Sequence, residues 1–220
     1  MGVVKNHKCI PVSSNDVVIE FEHLYHPLMK ESKCVPNCFQ TCNGVNIITG
    51  SNMGGKSTFL RTIGINLILM NAGGFVNADS FKSNYYKIFT SMRVSDDALR
   101  GISTFYGELL RIKDAMDYSN ENKPMVVLVD EIFKGTNYND RIYGSEEVIK
   151  KLNQKNVILF ITTHDFELCD VKVNNIYNYH FKEYYEKDKI KFDYIIRNGK
   201  CNSTNARYLM EQIGIIKKRT

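Results

Sequence analysis

Residues 45–71 read VNIITGSNMGGKSTFLRTIGINLILMN: an apolar run, a glycine-rich loop closed by Lys-Ser, then an apolar stretch with helical spacing. That order constrains the fold more than any other feature of the chain. GSNMGGKS, at 50–57, fits Gly, any four residues, Gly-Lys-Ser without exception. Glycines let successive backbone N–H groups turn inward on phosphate oxygens, and the helix that follows adds the positive end of its dipole. The candidate phosphate cradle is therefore Gly50, Ser51, Asn52, Met53, Gly54, Gly55, Lys56, Ser57 and Thr58. Lys56 is placed to neutralise β- and γ-phosphate charge, and the Ser57 hydroxyl to ligate Mg²⁺.

The rest of the chain alternates strand and helix, the signature of a parallel sheet with helices on its faces. VNIIT (45–49) reads as a strand, and Lys56 to about Asn71 as a helix with Phe59, Ile63, Leu67 and Met70 on one side. STFYGELLRIKDAMDYS reads as a second helix opened by Ser103 or Thr104, and YGSEEVIKKLNQ as a third. PMVVLVDE and NVILFITTH are continuous apolar runs, as central buried strands require. KIKFDYIIRNG alternates like a half-exposed strand, and NARYLMEQIGI reads as a closing helix ending near Gly214. Residues 1–44 and 80–102 carry the weakest local patterns.

PMVVLVDE ends in two carboxylates. An Asp at the end of such a strand, downstream of the phosphate loop, holds Mg²⁺; Asp130 takes that role. Glu131, immediately after it, is placed to activate an attacking water. His164 closes NVILFITTH at the carboxyl end of a neighbouring strand, where ligands bind in open α/β sheets. It is positioned either to sense a γ-phosphate or to orient the water.

Composition narrows the context. A 43% hydrophobic chain of 220 residues is long enough for one globular domain. The net charge of +5 permits contact with nucleic acid without arguing for it, because the charges alternate in sign along the chain. No run reaches the roughly 18 apolar residues of a membrane span, so no membrane contact is expected. The six cysteines are dispersed, as suits a reducing compartment, and MGVVKNHKC has no apolar export segment; a cytoplasmic location is expected. Cys34, Cys38 and Cys42 lie too far apart for the usual two-residue metal spacing and read as incidental thiols.

Taken together, ITGSNMGGKSTFLRTIG, GISTFYGELLRI, LVDEIFKGTNYNDR and FITTHDFEL resemble, in order and spacing, the ATPase domain of the MutS mismatch-repair family. YHPL (25–28), VPN (35–37) and NGKCNSTNARYLMEQIGI extend the resemblance over roughly residues 18–216. It implies a P-loop NTPase of ABC type: an α/β fold with a mainly parallel central sheet flanked by helices and a smaller β-rich N-terminal part. In that arrangement residues 1–44 supply the N-terminal strands and 45–216 the ATPase core of a single domain. It further implies ATP and Mg²⁺ as cofactors and a homodimer in which Ser103 contacts the γ-phosphate bound to the other subunit, with KGTN (134–137) in the crossing loop. Tyr194 matches a late-strand position at which the family stacks adenine; the upstream stacking position, commonly aromatic, is Cys34 here.

Two departures stand out. Mismatch-repair members carry Pro where this chain has Ser51, and DEIGRGTST where it has DEIFKGTNY. Both imply a divergent paralogue. The family's DNA-reading domain and levers have no room in the N-terminal segment, so the chain is either a fragment or a minimal protein without its own DNA reader; a fragment is expected, with its DNA contacts outside this chain. Two functional readings stay open: an ATPase that drives dimer opening and closing on DNA, or a nucleotide-gated clamp with little turnover.

Overall fold

The computed structural model describes residues 7–51, 53–92, 104–186, 189–201 and 215–216. In chain order the elements are β1 (Val12–Ser13), β2 (Val18–Leu24), β3 (Asn37–Cys42), β4 (Gly44–Thr49), α1 (Lys56–Asn71), β5 (Ser80–Ser83) and β6 (Lys87–Ser91). They continue with α2 (Thr104–Ser119), β7 (Met125–Asp130), α3 (Tyr138–Leu152), β8 (Val157–Thr162), β9 (Ile176–Glu186) and β10 (Lys189–Asn198).

The six-stranded sheet has the order β10-β9-β4-β8-β7-β6. Its pairs are parallel, except that β10 runs back along β9 as an antiparallel edge. Every residue of β4, β7 and β8 is buried, because helices or a second sheet cover both faces. This is why those segments are continuous apolar runs rather than alternating ones. One face packs Ile48, Leu128 and Phe160 against Phe59, Leu60, Ile63, Leu67 and Met70 of α1. The other packs Ile47, Val127 and Ile161 against Ile112 and Ala115 of α2 and Val148, Ile149 and Leu152 of α3.

The smaller sheet, β1-β5-β2-β3, lies over α1. It takes β5 from beyond the helix, so the β-rich part is not assembled from the N-terminal segment alone. Aromatic rings join the layers: Phe21 stacks on Phe81 with centroids 6.0 Å apart, Phe39 meets Phe59 edge-on at 5.5 Å, and Phe59 meets Phe181 at 5.7 Å.

Two differences from the sequence expectations have local causes. α3 begins at Tyr138, ahead of Tyr143, because Asn137 caps it: the Asn137 side chain accepts from the Asp140 N–H at 3.0 Å. β9 matches no expected strand. Its sequence, IYNYHFKEYYE, mixes aromatic and polar residues, yet it pairs in parallel with β4 from Val45↔Ile176 to Thr49↔His180. The expected closing helix to Gly214 falls outside the described residues. Among the described residues no helix is long and apolar enough to cross a membrane.

Candidate active site

The loop from β4 to α1 leaves the sheet at Gly50, whose φ of +127° is open to glycine; a Cβ there would stand 2.6 Å from the Phe181 carbonyl oxygen. Gly55 enters α1 at φ +102°, and a Cβ on it would meet the Tyr194 ring at 3.2 Å. Glycine is thus required both by conformation and by close approach. Lys56 opens the helix and folds back over the loop. Its Nζ donates to the carbonyls of Gly50 at 2.6 Å and Ser51 at 2.9 Å, and lies 3.4 Å from His164 Nε2. Burial pushes its pKa down to about 8, against the opposing pull of Glu131 and Asp130. Met53 is exposed, Asn52 lies outside the described residues, and Ser51 Oγ is buried with no partner among the described residues.

At the same edge, β7 delivers Asp130, only 7% exposed. Asp130 Oδ1 accepts from Ser57 Oγ at 2.9 Å and from Thr162 Oγ1 at 2.6 Å. Thr162, the last residue of β8, also accepts from the Glu131 N–H at 2.9 Å. It therefore ties the two carboxylate positions to the neighbouring strand. No sequence motif marks it out: it is one hydroxyl at the end of a buried strand, two residues before His164.

Glu131 takes a left-handed backbone turn, φ +58°, uncommon for a non-glycine residue and often kept at functional sites. Its Oε1 lies 3.2 Å from His164 Nε2, and its Oε2 accepts from Lys134 Nζ at 2.8 Å. Phe133, also at positive φ, donates its N–H to Glu108 Oε1 at 2.8 Å, which links the turn to α2. Burial, then the nearby Lys56 charge, lowers the pKa of His164 from its usual 6.5. At neutral pH the imidazole is therefore mostly uncharged. Behind it, Arg141 of α3 grips Asp165 through Nε at 2.8 Å and Nη2 at 2.9 Å. The sequence offered no pattern for that pair, because each partner alone reads as a surface charge.

A cavity of about 630 Å³ opens beside the loop, lined by Cys34, Val35, Gly55, Thr58, Phe181 and Tyr194 among others. The two positions matched on resemblance as base-stacking, Tyr194 and Cys34, thus share one cavity next to the glycine loop. Cys38 and Cys42 point outward from β3. Ser103 lies outside the described residues; α2 begins one residue later, at Thr104.

The donor set fits a small hard cation. Ser57 and Asp130 present oxygen atoms 2.9 Å apart on two rigid elements, and hydroxyl plus carboxylate is a magnesium-type pair. The loop glycines Gly50 and Gly55, both at positive φ, fit a backbone cradle for phosphate: a Cβ at Gly50 would clash with the Phe181 carbonyl and one at Gly55 would crowd the Tyr194 ring.

Residues 46–216 match the family model described as MutS domain V. The DNA mismatch repair protein MutS of Lactobacillus acidophilus is 31% identical over 92% of this chain and 24% of its own length. MutS of Aquifex pyrophilus is 29% identical over 81% of this chain and 22% of its own. The DNA mismatch repair protein MSH3 of Saccharomyces cerevisiae is 37% identical over 69% of this chain and 15% of its own. The chain spans about a quarter or less of the length of these relatives.

Proposed function

This chain belongs to the MutS family, through the domain V match over residues 46–216, and from that premise we propose that it is a Mg²⁺-dependent ATPase domain of ABC-type P-loop architecture. Ser51 in the loop and the segment DEIFKGTNY mark it as a divergent paralogue. The domain extends over residues 1–220, with its core at 45–216, and dimerises so that nucleotide state governs DNA binding in repair or recombination. The DNA contacts come from regions outside this chain.

The observation that carries the reading is the 2.9 Å hydrogen bond from Ser57 to Asp130. It brings the end of the glycine loop and the end of a central strand to one point, which supports placing a metal-bound phosphate there. Mg²⁺ held there would supply charge neutralisation between the β- and γ-phosphates. Gly50, Ser51, Asn52, Met53, Gly54, Gly55 and Thr58 cradle the phosphates, and Tyr194 faces the base. Lys56 leaves the Gly50 and Ser51 carbonyls for the phosphate oxygens. Glu131 accepts the proton of the attacking water, and His164, largely neutral at pH 7, orients that water or reads the γ-phosphate. Ser103, one residue ahead of Thr104 in the sequence, acts on the nucleotide of the second subunit, where the dipole of α2 favours an anion.

One contact favours the slower alternative, a nucleotide-gated clamp. Lys134 holds Glu131 Oε2 at 2.8 Å, and an ion-paired carboxylate is a weaker base until that lysine withdraws. Hydrolysis measured against protein concentration decides between the two. The engine requires specific activity that climbs with concentration and is abolished by Ser103→Ala and by Glu131→Gln, with ATP binding retained by the latter. Full turnover by a strictly monomeric sample rejects the composite site. Tight binding with no turnover at any concentration supports the clamp.

A further inference from the structure

Away from the Lys56–Asp130 cluster, a buried amide of the smaller sheet reaches across to β10 of the larger one. Asn37 is the first residue of β3 and is 9% exposed. Its Nδ2 donates to the carbonyls of Tyr194 at 3.0 Å and Val35 at 3.3 Å, and its Oδ1 accepts from the Ile196 N–H at 2.8 Å. Both ends of the amide are therefore spent on backbone, two of the three bonds on β10.

The β10 backbone needs this support. The β9–β10 register jumps from Phe192↔Glu183 to Ile196↔Phe181, so more residues of β10 than of β9 fill the gap. Such a bulge loses its ladder bonds and bends the strand. Tyr194 lies inside the bulge at φ +58°, a conformation rare for an aromatic residue and kept only when the surroundings over-determine it. On one side Asp193 braces the bulge, accepting from the Ile195 N–H at 3.2 Å and pairing with Arg197. Asn37 supplies partners for the Tyr194 carbonyl and the Ile196 N–H, standing in for the missing strand. The result is visible at the loop: the Tyr194 ring lies so close to Gly55 that a Cβ there would be 3.2 Å from Tyr194 Cδ1. Asn37 also lines the same cavity, with Cys34 and Thr58.

We propose that Asn37 is a positioning residue for nucleotide binding, holding the Tyr194 bulge so that the tyrosine ring forms the base-facing wall of the cavity over Gly55. The inference rests on the nucleotide-site reading above and adds to it a residue that touches neither phosphate nor metal. An amide is the required chemistry, because one donor and one acceptor must be presented side by side to a carbonyl and an N–H two residues apart.

The test compares binding of Mg·ATP with binding of Mg·tripolyphosphate, which keeps the phosphates and lacks the base, by calorimetry on the 220-residue chain. Asn37→Ala is expected to weaken ATP about tenfold, the scale of one lost base–aromatic stack, and to leave tripolyphosphate unchanged. In a Tyr194→Ala background the same substitution is expected to cost no further ATP affinity, since the two act as one unit. Equal weakening of both ligands would make Asn37 a general structural residue and overturn the proposal. So would full additivity with Tyr194→Ala, or unchanged ATP affinity. Should Asn37→Ala fail to fold, Asn37→Asp takes its place; it keeps the acceptor for Ile196 and sets a carboxylate oxygen against the Tyr194 carbonyl, and the same ligand-selective loss is required. If the unaltered chain binds neither ligand, the nucleotide-site reading itself fails. If it binds both and the variant shows no selectivity, only the role of Asn37 fails.

Discussion

Arg141 and Asp165 form a two-pronged ion pair, Nε to Oδ2 at 2.8 Å and Nη2 to Oδ1 at 2.9 Å, with both side chains more than three-quarters buried. Asp165 directly follows His164, and its own N–H is held by Thr163 Oγ1 at 2.9 Å. The turn that presents His164 to Glu131 is therefore anchored to α3.

Arg141→Ala should destabilise the chain by about 2 kcal/mol, because it leaves a poorly solvated carboxylate without its partner. It should also lower ATP turnover by about tenfold or more through a displaced His164. Arg141→Lys should recover little of either, since an ammonium cannot reproduce the planar fork. Urea denaturation and steady-state hydrolysis check both. Wild-type turnover in Arg141→Ala would show that the pair is purely structural.

Lys56 makes a prediction about pH. Its folded pKa lies near 8 against an ordinary 10.5, so between those values the unfolded chain binds more protons than the folded one. Stability attributable to this group therefore rises as pH climbs from 8 to 10.5, and the cost of burying its charge is fully present below 8. Lys56→Met removes that dependence. The stability of the unaltered chain relative to Lys56→Met should improve by roughly 3 kcal/mol at most between pH 7.5 and 10.5. Parallel curves for the two proteins would mean that the lysine is not desolvated.

Two glycines with positive φ should respond differently to alanine. At Gly50 the new Cβ would lie 2.6 Å from the Phe181 carbonyl oxygen, a backbone atom that cannot step aside. Gly50→Ala should cost roughly 3 kcal/mol or more and remove nucleotide binding. At Gly73, φ +74°, nothing stands within 4 Å, so Gly73→Ala should cost only the conformational strain of about 1 kcal/mol. Thermal melts and ATP titrations separate them; equal losses would disprove the steric account.

In the proposed site Asp130 couples metal to nucleotide. Chelating Mg²⁺ should weaken ATP binding to the unaltered chain by about tenfold or more, whereas Asp130→Ala should bind weakly with or without the chelator. A chelator effect that survives in Asp130→Ala would move the metal to other ligands.

The elements that act locally could be read from residue order. The loop 50–57, α1 and the buried runs of β4, β7 and β8 announce themselves, because glycine placement, helical spacing and uninterrupted apolar stretches are short-range signals. Lys56, Ser57, Asp130, Glu131 and His164 follow from their positions at the ends of those elements, and the structure brings them to one sheet edge. The early start of α3 was less legible, because the Asn137 cap sits in a polar stretch that also reads as loop.

What residue order could not contain is pairing across distance. β9 joins the sheet because β4 leaves an edge for it, not because its mixed sequence demands a strand. Thr162 becomes a hub for Asp130 and Glu131 only once β8 lies beside β7. Asn37 and Tyr194 meet only when the smaller sheet settles over α1 against the bulged edge of the larger one. Periodicity and turn chemistry depend on neighbours along the chain, so the sequence by itself determined β4, β7, β8, α1 and the glycine-rich loop at 50–57. Which buried polar group satisfies which other depends on how the layers pack, and only the tertiary structure decided that.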